Sequence, residues 1–442
     1  MSSHSPISFA EATRTWVRVA LLSFGGPAGQ IAVMHRILVD EKRWISEPRF
    51  LHALSYCMLL PGPEAQQLAT YIGWLFHGTR GGLVAGGLFI LPGLIAIMAL
   101  SFLYVAWRGH PLMDGLLLGL KAAVVALVFE ALLRIGSRAL RDLRNRIVAF
   151  VAFVGIAVLH WPFPVIVIGA GIAGWMMTRH GVATAAAARR DADSDVERPA
   201  DARASRPPAP ALRGSLRMLA LWLPLWLAPV LVAGMLAGHD HVFTQLGVFF
   251  SQMAVVSFGG AYAVLAYVAQ QAVNQFGWIT TGQMMDGLGL AESTPGPLIM
   301  VVQFVGFLAA WQTAGADHPL VAGIIGALVT VWVTFVPSFL WIFLGAPYVE
   351  RLRGSVALAG AMSAITAAVV GVIASLALWF SVHVLFEQVN AQGLPEFTSL
   401  RPVPAALTAV ALLALFQLRL GLGRTLLVCT ALGTVAAIAG WM

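Results

Sequence analysis

Two short motifs occur twice in the chain, and both are made of residues that interrupt helices. SFGG stands at Ser23–Gly26 and at Ser257–Gly260, and PGP stands at Pro61–Pro63 and at Pro295–Pro297. Glycine pairs and prolines break regular helices. Each motif is followed by an apolar stretch, so each predicts the start of a new helix. Free N–H groups at a helix start form a ready site for an anion.

The side chains beside these motifs suit an oxyanion that must be released again, since most are neutral hydrogen-bond donors. Lys121 is the only lysine within a predicted membrane span, where a charge costs about 2.5–3.5 kcal/mol, which indicates function. Close packing of small residues is the competing interpretation of SFGG, but the repetition of both motifs favours a site. The predicted binding residues are Ser23, Phe24, Gly25, Gly26, Gln30, Pro61, Gly62, Gln67, Lys121, Ser257, Phe258, Gly259, Gly260, Thr294, Pro295 and Gly296.

Two carboxylates flank the PGP triplets. Glu64 directly follows the first triplet, and Glu292 shortly precedes the second. Carboxylates inside a membrane form proton relays in pumps and transporters. Either residue could therefore couple ion movement to a proton gradient, and a structural hydrogen-bonding role stays open for both.

Residue types that would indicate an enzyme are sparse. The chain has no GxxxxGK[ST] phosphate-binding loop, so it shows no sign of an ATP-hydrolysing domain. Cys57 and Cys429 are its only cysteines, too few for a disulfide framework or a cysteine metal cluster. We therefore predict no catalytic residues, no resident metal and no cofactor, and we expect the protein not to be an enzyme.

The composition indicates a membrane protein. The chain of 442 residues is 59% hydrophobic and only 11% charged, and its mean hydropathy is +0.82, whereas soluble domains carry about 25% charged residues. Apolar runs such as 82–107 exceed the roughly 20 residues that cross a bilayer. The formal net charge of +7 lies mostly in loops, which favours membrane topology over nucleic-acid binding. We predict an all-α polytopic membrane protein.

The chain is an internal repeat. Ser23 and Ser257, Trp44 and Trp278, and Pro61 and Pro295 are separated by one constant spacing. We predict homologous transporter repeats at 1–178 and 239–442, a flexible cytoplasmic linker at 179–215 that is rich in Ala, Arg, Asp and Pro, and a connecting transmembrane helix at 216–238. One extra crossing would turn the second repeat upside down, as in many secondary transporters.

The placement of Lys and Arg supports an inverted-topology repeat. Each half is predicted to hold two broken, re-entrant helical hairpins and about four transmembrane helices. With the N-terminus and linker in the cytoplasm and the C-terminus outside, all Lys and Arg residues face the cytoplasm except Arg108 and Arg401 outside and Lys121 within the membrane. The predicted crossings are about 82–107, 112–133, 146–161, 163–178, 216–238, 319–345, 355–381, 402–418 and 424–441.

The motifs resemble the chromate ion transporter family, in its long-chain, two-domain form. The resemblance rests on SFGGPAGQIAVMH, KRWIS and LLPGPEAQQLATYIGW in the first half, and on SFGGAYAVLAYV and ESTPGPLIMVVQFVGF in the second. It implies secondary transport of chromate, usually efflux that confers resistance, through an inner membrane. We expect the anion to bind between the halves while one half rocks against the other.

Alternatives remain open. Sulfate is a tetrahedral dianion of similar size, so sulfate or a related oxyanion is a second candidate substrate. A membrane-bound chromate reductase would need a flavin, haem or metal site, and a passive channel would carry flux only downhill. The expected partners are chromate or a similar oxyanion and membrane lipid, with no nucleic acid, and a homodimer is allowed for.

Overall fold

The computed structural model describes residues 7–24, 26–178, 212–258, 261–315, 318–346, 356–390 and 394–441. Most of the predicted linker, and the site residues Gly25, Gly259 and Gly260, lie outside the described residues. The described helices are α1 Phe9–Leu22, α2 Gly26–His35, α3 Glu47–Cys57, α4 Glu64–Ala106, α5 Pro111–Ala139, α6 Leu143–Ala157, α7 Phe163–Met177, α8 Leu212–Ala237, α9 Val242–Val256, α10 Ala261–Ala269, α11 Thr281–Ser293, α12 Val301–Thr313, α13 Pro319–Gly345, α14 Val356–Leu385, α15 Pro402–Leu412 and α16 Leu422–Ile438.

Shorter turns complete the elements. The π-helical turns Arg36–Glu41, Gln270–Gln275 and Leu413–Gln417 continue α2, α10 and α15, and a 3₁₀ turn at Leu298–Met300 leads into α12. Isolated β-bridges join Phe386 to Leu400 and Val389 to Pro395. Apart from these bridges, the regular elements within the described ranges are all helical.

Several helices match the predicted spans. Among the described residues, five helices are long and apolar enough to cross a membrane: Glu64–Ala106, Pro111–Ala139, Arg213–Ala237, Pro319–Gly345 and Ala357–Leu385. Shorter apolar helices supply further candidate crossings. The prediction of an all-α polytopic membrane protein is confirmed. The connecting helix α8 begins at Leu212, so it also takes in the last residues of the predicted linker.

Helix α4 is folded back on itself. His77 and Gly78 leave the helical conformation, and Gly78 has φ +59°. A Cβ atom on Gly73 would lie 2.5 Å from the carbonyl oxygen of Gly81, and one on Gly86 would meet the Thr70 hydroxyl. The contacting pairs, Gly73 with Gly81 and Thr70 with Gly86, are farther apart in sequence the farther they lie from the break. Segments 64–76 and 79–106 are therefore antiparallel, as are α12 and α13 in the second half.

The motif segments of the first half form hairpins that return to the side on which they start. Around SFGG, Lys42 Nζ, after α2, lies 3.1 Å from Glu11 Oε1, near the start of α1. Around PGP, the rings of Trp44, before α3, and Phe76, at the end of segment 64–76, are 5.9 Å apart. Both pairs of hairpin ends therefore lie close together.

The second half repeats this arrangement. Around its SFGG motif, the rings of Phe249, midway along α9, and Trp278, beyond α10, are 5.8 Å apart. Around its PGP motif, Gln312 Nε2 near the end of α12 lies 3.5 Å from Gln283 Oε1 near the start of α11. These contacts agree with re-entrant hairpins in both halves.

One contact shows that the halves are inverted. Segment 79–106 starts beside the hairpin ends of the first half and runs for about 40 Å. Near its far end, the Tyr104 hydroxyl donates to Asp286 Oδ2 at 3.1 Å. Asp286 is the sixth of the 13 residues of α11, in the half of that helix nearer the side where the hairpins of the second half begin and end. The two sets of hairpins therefore enter from opposite sides.

The halves are also interlocked. Helix α5 of the first half packs against α15 and α16 of the second, and α14 of the second packs against α6 and α7 of the first. Glycines allow these approaches, since a Cβ on Gly115 would lie 2.8 Å from the carbonyl oxygen of Gly433. A sequence half is therefore not a separate body, and the expectation that one half rocks against the other needs revision. Helices α5–α7 and α14–α16 form a mixed bundle beside the hairpins.

Paired tryptophans hold α8 against α13 at their proline kinks. Proline lacks an N–H group, so Pro337 leaves the Val333 carbonyl without its intrahelical donor, and Pro229 does the same to Leu225. Trp226 Nε1 donates to Val333 at 3.1 Å, and Trp332 Nε1 donates to Leu225 at 2.8 Å. Each helix thus supplies the donor that the other helix lacks.

We predict that Trp226→Phe destabilises the protein by about 0.5–2 kcal/mol, the range measured for hydrogen bonds between helices in a membrane. The ring stays but the carbonyl of Val333 loses its donor. Thermal unfolding in detergent measures the effect, with Trp441→Phe as the control because Trp441 is exposed. Equal melting temperatures for the two variants would contradict this explanation of the kink.

Candidate functional site

The four predicted helix breaks meet in pairs, and each pair joins opposite halves. The Gly62 N–H, in the first PGP, donates to the carbonyl of Ser257, in the second SFGG, at 3.0 Å. The Gly296 N–H, in the second PGP, donates to the carbonyl of Ser23, in the first SFGG, at 2.9 Å. These equivalent bonds relate the halves by a pseudo-two-fold axis. We call the two contacts together the central junction.

The PGP sequence explains why glycine makes these bonds. The flanking prolines have no N–H, so the central glycine carries the only backbone donor of each triplet. Gly62 has φ +124° and Gly296 has φ +100°, a region that favours glycine. A Cβ on Gly62 would lie 2.7 Å from both Gln67 Nε2 and Ser338 Oγ, and one on Gly296 would lie 2.9 Å from Gly93 Cα.

Buried glutamines stabilise the broken backbone. The Gln30 side chain donates to the Gly296 carbonyl, and Gln67 Nε2 donates to the Pro61 carbonyl at 2.7 Å. Among the described residues, the side-chain oxygens of Gln66, Gln67 and Gln303 and the Ser338 hydroxyl are buried without a hydrogen-bond partner. Unpartnered polar groups beside the first PGP mark a place where a ligand or water would be stabilised.

The hydroxyl groups of the motifs are engaged locally. Ser23 Oγ donates to Val19 at 2.6 Å, and Ser257 Oγ donates to Ala254 at 3.0 Å. Thr294 Oγ1 likewise donates to the Ala291 carbonyl at 3.0 Å. Each hydroxyl thus closes the helix before its break. The aromatic neighbours differ, since Phe24 is exposed and Phe258 is half-buried.

Helix starts supply the electropositive groups at these breaks. Helix α2 begins at Gly26, which has φ +68°, and α4 begins at Glu64 directly after the first PGP. The first N–H groups of a helix have no intrahelical acceptor and carry a partial positive charge. Pro295 packs its carbonyl oxygen against Gly93, so the second triplet is closely covered by segment 79–106.

The two candidate coupling carboxylates differ in surroundings. Glu292 is 4% exposed, and its Oε1 accepts a hydrogen bond from the Tyr262 hydroxyl at 2.5 Å. Its Oε2 is buried without a partner among the described residues. Glu64 is half-buried in the first turn of α4, where the helix dipole favours a negative charge.

Lys121 does not lie at the central junction. Its Nζ lies 3.1 Å from Asp286 Oδ1, and both residues line a cavity of about 410 Å³ between α5 and α11. Sequence reasoning did not select Asp286. A signal existed, because a lone lysine within a span requires a counter-ion, and Asp286 is one of only two carboxylates in α11, the other being Glu292.

Helix α13 adds polar residues that the motifs did not reveal. Thr330, Thr334 and Ser338 are buried and spaced four apart, so they share one face of the helix. Ser338 reaches the first PGP at Gly62. Only the four-residue spacing of these hydroxyls in an apolar run indicated such a stripe.

The fold and the junction define a polytopic helical membrane protein of the inverted-repeat kind. A family model described as Chromate transporter matches residues 10–175 and 244–441, which covers most of both halves. The chain therefore belongs to the chromate transporter family.

Named relatives agree with this membership. A chromate transport protein of Pseudomonas aeruginosa is 31% identical over 89% of this chain and 84% of that protein. One from Cupriavidus metallidurans is 28% identical over 81% of this chain and 79% of its own. A probable chromate transport protein of Synechococcus elongatus is 26% identical over 84% of each. No solved structure matches the chain. These names support a transporter rather than an enzyme.

We predict that Gly296→Ala disrupts the central junction more than Gly62→Ala does. At Gly296 the obstacle is the Gly93 backbone, whereas at Gly62 it is the ends of side chains that can move. We expect Gly296→Ala to lower the yield of folded protein, and Gly62→Ala to fold but lose oxyanion transport. Gel filtration and transport in vesicles separate these outcomes.

Gly87→Ala in α4 is the matched control, because nothing lies within 4 Å of the added Cβ. We expect it to fold and transport like the unaltered protein. Normal transport in Gly62→Ala would show that the strained glycine of the first triplet is dispensable.

Proposed function

We propose that the protein is a secondary active transporter of chromate, a tetrahedral oxyanion, and that it exports the anion and confers resistance. Family membership supports chromate as the substrate. The observation that carries the proposal is the central junction, where four helix breaks from inverted halves meet through two equivalent hydrogen bonds. Helix starts and the unpartnered Ser338 hydroxyl, which can donate, lie beside it, as in sites where transporters hold an anion by backbone groups.

Transport requires that the junction change during the cycle. The N–H groups of Gly62 and Gly296 are occupied by serine carbonyls, so an anion that takes either donor must displace a cross-half bond. Loss of such a bond loosens the contact between oppositely oriented hairpins. Because the sequence halves are interlocked, we assign the alternating motion to the hairpins against the mixed bundle of α5–α7 and α14–α16.

The orientation follows the charge distribution. We propose an inner, plasma-membrane location with the N-terminus and the central linker in the cytoplasm and the C-terminus outside. Support comes from the second-half hairpins, since residues 239–318 contain no Lys or Arg, as expected for segments on the outer side. The hairpins of the first half are basic and lie on the opposite side.

Sulfate is the second candidate substrate, because the groups at the junction recognise shape and charge. Neutral amides and N–H groups would bind any tetrahedral dianion of similar size. Relative affinity for chromate and sulfate therefore decides the physiological substrate.

We predict that purified protein in sealed vesicles accumulates chromate against its gradient when a proton gradient is imposed. Labelling of Ala314→Cys by an impermeant thiol reagent reports orientation, since Cys57 and Cys429 are buried. Equal concentrations of sulfate are added in parallel to measure competition.

Empty vesicles and vesicles treated with a proton carrier are the controls. Failure to bind or move chromate under any gradient would refute the substrate, and stronger transport of sulfate would transfer the proposal to that anion. Purely downhill flux that ignores the proton carrier would indicate a channel. A visible cofactor spectrum would revive the reductase alternative.

We predict that Glu292→Gln abolishes uphill transport but keeps downhill exchange of chromate. Glutamine can still accept the hydrogen bond from Tyr262, but it cannot carry a proton across the cycle. The ratio of uphill to downhill flux in vesicles is the measurement, and Glu64→Gln is measured beside it.

Glu396→Gln, in an exposed segment, is the control and should leave both fluxes unchanged. Undiminished uphill transport by Glu292→Gln would assign Glu292 a structural role. The same result for Glu64→Gln would remove that residue from proton coupling.

A further inference from the structure

A second cluster of charge lies away from the central junction. The cavity of about 410 Å³ is bounded by α5, the start of α11, the end of α4 and the residue before α15. Its polar and charged lining residues are Tyr104, Arg108, Asp114, Lys121, Thr280, Gln283, Asp286 and Arg401. Asp286 contacts both Lys121 and Tyr104, whereas Arg108 and Asp114 are exposed.

The cations of this cavity are exceptions to the rule that Lys and Arg lie on the cytoplasmic side. Arg108, Lys121 and Arg401 are the residues that the topology does not place in the cytoplasm, and all three line this one cavity. Outer loops of membrane proteins are depleted in Lys and Arg. That all three line one cavity therefore points to a role for positive charge at that place.

The balance of charge favours an anion. The three cations face the carboxylates Asp114 and Asp286, so positive charge is in excess. Among the described residues, neither guanidinium group has an ion-pair partner. A partly enclosed space with an excess of one charge concentrates ions of the opposite sign.

The start of α11 adds donors at the inner end of the cavity. A Cβ atom on Gly282 would lie 3.6 Å from Lys121 Nζ, so the first turn of α11 adjoins the ammonium group. Thr280 caps only the Gln283 N–H, at 3.2 Å, and the N–H groups of Thr281 and Gly282 have no intrahelical acceptor. Ammonium and helix start together match a dianion.

Asp286 occupies the position for which an incoming oxyanion would compete. Its carboxylate is 3% exposed, with Oδ1 at 3.1 Å from Lys121 and Oδ2 held by Tyr104. An oxyanion that reaches Lys121 would displace Oδ1, while Tyr104 keeps the carboxylate in place. From this ion pair, helix α11 runs for about 10 Å to its end at Ser293, just before the second PGP.

We propose that this cavity is an outer vestibule, a second oxyanion site in which Arg108, Arg401 and Lys121 hold a tetrahedral dianion between the central junction and the external solution. Asp286 is the intrinsic competitor that returns Lys121 to its ion pair once the dianion leaves. The inference rests on the proposed function and adds to it a site, its ligands and its side of the membrane.

The test measures the chromate concentration dependence of transport from the Arg108 side of the vesicle membrane. For Arg108→Gln/Arg401→Gln we expect KM to rise about tenfold, as lost electrostatic steering predicts, while the maximal rate changes less than twofold. Arg108→Lys/Arg401→Lys should restore KM, and added neutral salt should shrink the difference. Arg424→Gln, an exposed residue of α16, is the control.

Asp286→Asn tests the competition directly. Without its charged competitor, Lys121 should bind the dianion more tightly, so we expect KM to fall severalfold and the maximal rate to fall with it because release slows. Gel filtration of every variant shows that it is folded.

The outcomes separate the two proposals. Absence of chromate and sulfate transport by the unaltered protein would refute the proposed function. Normal transport by the unaltered protein, with the KM of both the double glutamine variant and Asp286→Asn equal to that of Arg424→Gln, would overturn the vestibule alone. A rise in KM that the lysine variant does not reverse would also overturn it, since that result indicates shape rather than charge.

Discussion

A backbone that is broken inside a membrane must find its hydrogen bonds within the protein, because lipid offers none. The SFGG and PGP segments break the backbone in both halves, and the bonds Gly62–Ser257 and Gly296–Ser23 satisfy part of this demand across the two halves. Neither half could make these bonds alone. The inverted arrangement and the crossed pairing of motifs are therefore consequences of one requirement.

The same requirement explains features far from the junction. Proline kinks in α8 and α13 leave carbonyls that Trp226 and Trp332 satisfy in exchange. Irregular helices are tolerated in membranes where side chains of neighbouring helices restore the lost bonds. Each irregularity thus fixes the position of a neighbouring element, and together they link the hairpins to the connecting helix.

Much of the fold could be predicted because its signals are local. Span lengths, the constant spacing of the repeats and the Lys and Arg distribution all belong to the linear sequence. The crossed pairing could not be predicted, since the SFGG and PGP residues do not determine whether the glycine N–H bonds to a serine of its own half or of the other half. The pairing of Lys121 with Asp286 and the interlocking of α5 with α16 likewise depend on tertiary packing. The sequence predicts that the motif hydroxyls face an anion. In the structure they donate instead to carbonyls in the last turn of their own helices.

The two contacts of the junction are chemically unequal, although the sequence repeats them. Gly296 lies against the backbone of Gly93, where no group can move aside. Gly62 lies against the side chains of Gln67 and Ser338, which carry buried polar atoms without partners among the described residues. Side chains can rotate to admit a ligand, whereas a helix backbone must shift as a whole. Under the proposed function, the first triplet therefore offers the adaptable, polar surroundings that a transient anion needs, and the second would be the fixed contact about which the inverted hairpins turn.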